Sequence, residues 1–344
     1  MEISIEQSLL LFLVSVSFVG VITPLVRKLA IRFDVVDRPT ESHKTHKVPI
    51  PYLGGVAIVS GVLAITYGAL VLSGNLKLLV LVSSVLLPAV FMSIIGLIDD
   101  IKKLAPWPRF FVQNCVGVGV SAILVSTDTL GSPSGNTMFD VLISIFWIVG
   151  ITNSINFFDN IDGGASGAIG ISTLTLFVLA FQSGQFFIAA LAVVLAGSTV
   201  GFLGWNRPPA RIYMGDAGAL FLGVLISTLT LRFDPSPIHK VASFSIPVLL
   251  LAVPILDTTT AVLSRIRRGI SPFQGGRDHL SHRLMRMNKS KRESILILWI
   301  LNLFFCIAAV MISYAPFQWE PILTFMFVAI WLLLLIAFLR QSDV

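Results

Sequence analysis

Charge is scarce in this sequence. Asp, Glu, Lys and Arg make up only 12% of its 344 residues, against about 25% in an average soluble chain. With 55% hydrophobic residues, a water-soluble fold would run out of polar groups to cover its surface, so lipid has to be the solvent for most of the chain. Cysteine is almost absent. Cys115 and Cys306 both sit inside apolar runs, which excludes a disulfide framework and a cysteine metal cluster. No basic residue precedes the first apolar run, whereas Glu2 and Glu6 do lie there. That run is therefore expected to be a retained span rather than a cleaved leader. Ionisable residues are also missing from the centres of the apolar runs. Ion-coupled transporters and pumps keep such groups at the membrane midplane, so a lipid-linked sugar transporter or flippase, the reading from another class, lacks its expected equipment.

What the sequence has in abundance is span-length apolar segments of about 20 residues. Eleven are readable, at 7–26, 52–73, 78–98, 108–126, 138–157, 164–182, 184–203, 215–231, 242–263, 294–314 and 320–339. The expected fold is all-α: a polytopic membrane protein of about eleven transmembrane helices, forming a single catalytic domain over residues 1–344. Alternate loops differ sharply in charge. Of 24 lysines and arginines, only Lys77, Arg232 and Lys240 fall on one side. The basic side is expected to be cytoplasmic, with the N-terminus outside and the C-terminus inside a bacterial inner membrane. The net charge of +6 thus marks topology and not a nucleic-acid partner.

The acids follow the same map. Asp99, Asp100, Asp159, Asp162, Asp216, Asp257 and Asp278 all lie at or beside cytoplasmic span ends. Asp99-Asp100 closes the third span in GLIDD; it is either a polar stop or a pair of repelling carboxylates relieved by a cation or a proton. In TNSINFFDNIDGG (152–164), Asn153, Asn156, Asp159 and Asp162 recur every three residues. Amide and carboxylate oxygens in such a row suit a hard cation such as Mg²⁺, and helix capping would explain one of the four. In RIYMGDAGALFLG (211–223), Asp216 stands between Gly215 and Gly218 at a helix start, either as a plain cap or where phosphate and its metal can approach. The last long loop carries GGRDHLSHRL (275–284). Its Arg277, His279 and His282 suit phosphate or pyrophosphate; as zinc ligands the two histidines lack a third. Lys47, in HKTHKVPIPYLGG (43–55), is placed to meet a lipid headgroup. Carboxylates, Mg²⁺ and basic groups on one membrane face are the equipment of phosphoryl transfer to a lipid phosphate.

These five motifs, in this order between about residues 34 and 286, resemble the polyprenyl-phosphate N-acetylhexosamine-1-phosphate transferases, a superfamily that includes the phospho-N-acetylmuramoyl-pentapeptide transferases. The resemblance implies transfer of a sugar 1-phosphate from a UDP-sugar to undecaprenyl phosphate, with UMP released and Mg²⁺ as cofactor. It implies Asp216 as the chief metal ligand, with Asp159 beside it, and Asp99 and Asp100 next to the lipid phosphate, Asp99 taking its proton. Asn156 and Asp159 would line the nucleotide and metal site with Asn153 and Asp162 nearby. Arg277, His279 and His282 would take the diphosphate or sugar, and Lys47 the lipid phosphate. Three positions depart from the pattern. Ser281 interrupts the usual histidine run, Asn160 stands where many relatives have Gly, and Arg109 where many have Lys. The His-Leu-Ser-His pattern and the eleventh span look like the N-acetylglucosamine-1-phosphate branch rather than the muramoyl-pentapeptide branch. The sugar, the glycan pathway and the oligomeric state, a homodimer included, stay open at this point. The topology makes a direct prediction. A tag after Val344 should be inaccessible from outside intact cells, and a reporter between Gly131 and Gly135 should be exposed; external labelling of the C-terminus would overturn the map.

Overall fold

The computed structural model describes residues 2–37, 49–235 and 239–341; Lys47 lies outside them. Thirteen helices make up most of the described chain: α1 (Ile5–Arg32), α2 (Gly54–Leu72), α3 (Leu79–Lys102), α4 (Pro106–Ser126), α5 (Thr137–Phe158), α6 (Gly164–Gln182), α7 (Phe186–Asn206), α8 (Gly215–Arg232), α9 (Lys240–Leu250), α10 (Ala252–Arg267), α11 (Leu280–Arg286), α12 (Lys291–Ser313) and α13 (Glu320–Leu339). Two short strands, β1 (Val36–Asp37) and β2 (Ile50–Pro51), pair antiparallel. Helix starts carry local signals. Ser4 with Gln7 and Ser290 with Glu293 form capping boxes for α1 and α12, and Asn136 caps α5, each satisfying N–H groups that a helix leaves free. Among the described residues ten helices are long and apolar enough to cross a membrane, and α9 with α10 makes an eleventh if the bent pair counts as one span. The protein is an all-α, multi-pass membrane protein.

α8 is the axis of the bundle. All of its 18 residues except Asp216 and Leu231 are buried, and α2, α3 and α5 pack around it. Small residues permit this. A Cβ at Gly223 would lie 2.5 Å from the Thr152 backbone of α5, and one at Gly55 of α2 would collide with the Gly218 backbone. Backbones in contact also serve one another. The first N–H groups of α2 have no side-chain cap; instead Gly54 and Gly55 donate to the carbonyls of Tyr213 and Met214, at 2.9 and 2.8 Å. The stretch leading into α8 therefore caps α2.

The ninth apolar run, read from sequence as one span over 242–263, is two helices meeting at 78°. Pro254 has no N–H to give the carbonyl of Leu250, so the helix cannot run through, whereas a proline in the first turn of a new helix is tolerated. The freed Leu250 carbonyl accepts from the Ser172 hydroxyl of α6 at 2.6 Å. Asn302 of α12 donates to that hydroxyl and to the Ala168 carbonyl. A break at membrane depth survives because neighbouring side chains satisfy it. It tilts α10 across the end of α5, with which it packs.

Close approach at α8 is testable. Gly223→Val should lower the thermal unfolding midpoint in detergent, since overpacking a filled contact costs about 1–3 kcal/mol. Gly150→Ala, on α5 with open space at its Cβ, should leave the midpoint unchanged.

Candidate active site

The C-terminal ends of α3, α5 and α10 and the N-terminal end of α8 meet around one cavity of about 680 Å³. Its centre is the start of α8. No residue of that turn caps it with a side chain. The cap comes from α3: Asp100 Oδ1 accepts from the N–H of Asp216 at 2.9 Å, and Oδ2 from the N–H of Ala217 at 3.1 Å. Gly215 makes this fit. It sits at φ +72°, where a side chain would be strained, and a Cβ there would lie 2.6 Å from the Asp100 carboxylate.

Asp216 projects from this turn into the cavity. Its Oδ1 accepts from Asn156 Nδ2 at 2.6 Å, and its Oδ2 pairs with Arg109 Nη1 at 2.7 Å. Arg109 also pairs with Asp99, and Asp99 Oδ1 accepts from the Leu104 N–H at 2.6 Å. The two adjacent aspartates thus diverge: Asp100 reaches α8, and Asp99 reaches the start of α4. Neither lines the cavity, whereas Arg109 does.

Asp159 lies just past the end of α5, on the cavity wall, and its side chain forms no hydrogen bond or ion pair with the described residues. Burial, then the negative charges of Asp216, Asp100 and Asp162, push its carboxyl well above the usual range. Asp162 lines the same wall; it accepts from the Ala210 N–H at 3.0 Å and faces Lys291 Nζ at 3.8 Å. Asn153 is elsewhere. It bonds Gln113 of α4 at 2.7 Å and is absent from the wall. A three-residue step turns a helix by about 300°, so each step drifts by about 60°, and the row of four read from sequence does not share one face.

The opposite wall is built by α10 and the loop after it. Asp257, fully buried, accepts from His279 Nδ1 at 2.8 Å and from the Leu280 N–H at 2.7 Å. Arg265 makes a two-pronged pair with Asp278, both at 2.8 Å, and its Nη2 lies 3.2 Å from His279 Nε2. A guanidinium only donates, so Nε2 accepts and the His279 proton sits on Nδ1, toward Asp257. Burial raises the Asp278 carboxyl, but the Arg265 hydrogen bonds and charge outweigh it and hold the group below its usual range. His282 lines the cavity. Burial, followed by the influence of His279, Arg286 and Arg277 against Asp257, lowers it to about 4, so it is neutral at pH 7. Arg277 is exposed and off the wall. Two of the unusual positions meet: the Ser281 hydroxyl donates to Asn160 Oδ1.

Several wall residues carried no role in the sequence reading: Asp37, Tyr52, Lys103, Asn206, Tyr213 and Arg265. Tyr52 and Tyr213 face each other with ring centroids 6.2 Å apart, and burial raises both hydroxyls above their usual range. Asn206 accepts from the Gly163 N–H and the Ser166 hydroxyl and donates to the Ile212 carbonyl, tying the α5–α6 turn to the approach to α8. One missed residue had a signal. Asp257 stands in the apolar stretch VPILDTTTAV, and an ionisable group in such a run marks function by default.

Among the described residues no three Asp, Glu, His or Cys side chains converge to hold a metal unaided. Mg²⁺ does not need such a cage, because it is usually bound by one or two carboxylates together with substrate phosphates and water. Asp159 and Asp216 face one cavity and repel each other, so the donor set fits a hard cation between them.

Known proteins match this chain along most of its length. A model of glycosyl transferase family 4 matches residues 82–234, which hold Asp99, Asp100, Asn156, Asp159, Asp162 and Asp216. The "Probable undecaprenyl-phosphate N-acetylglucosaminyl 1-phosphate transferase" of Bacillus subtilis (strain 168) is 36% identical over 315 residues, covering 88% of this chain and 84% of the relative. The decaprenyl-phosphate N-acetylglucosaminephosphotransferase of Mycolicibacterium smegmatis is 31% identical over 80% of this chain and 74% of its own length. The undecaprenyl-phosphate alpha-N-acetylglucosaminyl 1-phosphate transferase of Yersinia pestis is 26% identical over 84% and 78%. With its carboxylate-lined cavity at the ends of apolar helices and relatives matched along most of its length, the chain belongs to glycosyl transferase family 4, the superfamily of polyprenyl-phosphate N-acetylhexosamine-1-phosphate transferases.

Proposed function

We propose that this protein transfers a sugar 1-phosphate, N-acetylglucosamine 1-phosphate or a related N-acetylhexosamine, from a UDP-sugar to undecaprenyl phosphate. UMP is released, and the product starts cell-envelope glycan assembly. The proposed setting is the bacterial inner membrane, with the cavity and C-terminus on the cytoplasmic side. The observation that carries the reading is the meeting of Asp159, Asp216, Asn156 and Arg109 at one end of the bundle, where a soluble nucleotide and a lipid phosphate can share a pocket.

Asp216 and Asp159 would hold Mg²⁺, which when bound supplies neutralising charge on the donor diphosphate. Asn156 and Arg109 fix both oxygens of Asp216. Asp100 fixes the turn from which Asp216 projects. Arg109 lies between the lipid side, through Asp99, and the metal side, through Asp216. In this reading an incoming lipid phosphate exchanges with Asp99 on the guanidinium, which frees the Asp99 carboxylate to take the phosphate proton. On the donor side, neutral His282 faces uncharged sugar groups. His279 has both ring nitrogens engaged and acts by holding Arg265 and the loop.

Asp216→Asn keeps size and removes the charge expected to hold Mg²⁺; turnover should fall on the order of 10²-fold or more. Asp140→Asn, at the far end of α5, should change little. UMP release from UDP-sugar and undecaprenyl phosphate measures both, and near-normal Mg²⁺-dependent turnover in Asp216→Asn removes that residue from the metal site. Steady-state kinetics in each substrate separate the two walls. Asp99→Asn should lower turnover with little change in apparent donor affinity. His279→Ala and Asp257→Asn should each weaken the donor side, and the double variant should be no worse than the poorer single one, since residues that act as a unit are not additive. Additive losses would mean that the two act separately.

A further inference from the structure

α8 joins the cavity to the opposite face of the bundle. The helix carries the chain about 24 Å along its axis from Asp216 to Arg232, at 1.5 Å per residue. Arg232 is only 8% exposed, and its side chain makes no hydrogen bond or ion pair with any described residue. Its guanidinium lies 5.7 Å from the centroid of the Phe187 ring. A buried cation without a counter-ion is costly in any protein, and more so beside lipid. The ring face and the negative end of the α8 dipole offset part of that cost, but neither replaces an anion.

Phe187 is also one wall of a small apolar crevice, completed by Leu11 of α1, Leu70 of α2, Leu78 and Val82 at the start of α3, and Leu191 of α7. Thr66 lines the same crevice, and its hydroxyl is buried without a partner. Lys77 immediately precedes Leu78 in the 3₁₀ turn Leu76–Leu78; it is exposed and likewise unpaired among the described residues. The third cation at this end differs. Lys240 donates to the Ser134 carbonyl at 2.9 Å. Two unpaired cations therefore flank one apolar crevice.

We infer that Arg232, Phe187 and this crevice form a binding site for one anionic phospholipid, on the face of the bundle remote from the cavity. The lipid phosphate pairs with Arg232, a guanidinium being well matched to phosphate oxygens. Lys77 attracts the negative headgroup, and an acyl chain lies against the crevice. A zwitterionic lipid has the phosphate but turns its own cation toward the same two residues. Free inorganic phosphate has nothing to place against Leu70, Leu78 and Val82. The site is independent of the transfer reaction, so it stands or falls apart from the proposed activity.

The test is lipid retention by the full-length protein during stepwise delipidation in detergent, read by native mass spectrometry. Phosphatidylglycerol is compared with phosphatidylcholine of the same acyl chains. Wild type should retain one phosphatidylglycerol in preference to phosphatidylcholine. Arg232→Gln should weaken that retention about tenfold, the order expected for loss of one charge-assisted contact, and Lys77→Gln should weaken it less. Arg232→Lys should keep the preference in part, and Lys240→Gln in full. Turnover in each variant should match wild type. Equal retention of both lipids by wild type would overturn the inference, whatever the variants do. So would Arg232→Gln that retains phosphatidylglycerol as wild type does. Displacement of the lipid by millimolar inorganic phosphate would also overturn it, by showing a plain anion site.

Discussion

The carboxylate of Asp100 holds two N–H groups in the first turn of α8, those of Asp216 and Ala217, and the site is arranged around that contact. In lipid an open helix end cannot turn to water for its hydrogen bonds, so a buried N-terminus must find acceptors on a neighbour. Here the neighbour is the end of α3, and the bond fixes how far each helix extends. Asp216 then leaves the first turn of α8 at a set height and direction, within reach of Asn156 and Arg109. The residues after Tyr52 dock on Tyr213 and Met214 by backbone bonds alone. Three helices are thus locked at the cavity by contacts that use few charged side chains.

Locking of this kind requires backbones to touch, and the glycines permit it. Gly215 gives the turn its positive φ and leaves room for Asp100. The same economy of volume lets α8 be the most buried helix while keeping Asp216 accessible at its head. Asp159 alone bears the repulsion of Asp216, Asp100 and Asp162 with no side-chain partner to offset it. Arg109 answers only Asp99 and Asp216, which leaves Asp159 as the carboxylate that calls for a cation from outside. The other wall is self-sufficient by contrast: Asp257, His279, Arg265, Arg268 and Asp278 bond one another, and the loop they hold bounds the cavity.

Much of this was legible in advance. Span-length apolar runs located the ten long helices, most of them to within a few residues, because burial in lipid demands that length and little else. Asp159, Asp162, Asp216, His279 and His282 were all marked by polar chemistry standing out against an apolar chain, and all of them line the cavity. Asn153 was marked by the same signal and points away, because a three-residue repeat does not keep to one helix face. Asp99 and Asp100 looked like a like-charge pair. In the fold they serve different helices, a distinction that adjacent positions in sequence cannot express. Asp257 passed without a role because its partners, His279 and Leu280, lie more than twenty residues later.

The amino-acid sequence by itself determined that the chain crosses a membrane many times and that seven of its aspartates gather at one end of the spans. Both follow from one-dimensional quantities, the length of apolar runs and the position of charges relative to them. The break between α9 and α10, the cap that α3 provides for α8, the pairing of Arg109 with two aspartates and the tautomer of His279 were decided only in three dimensions. Each depends on which residues from distant segments come within hydrogen-bond distance, and that is set by how the helices pack.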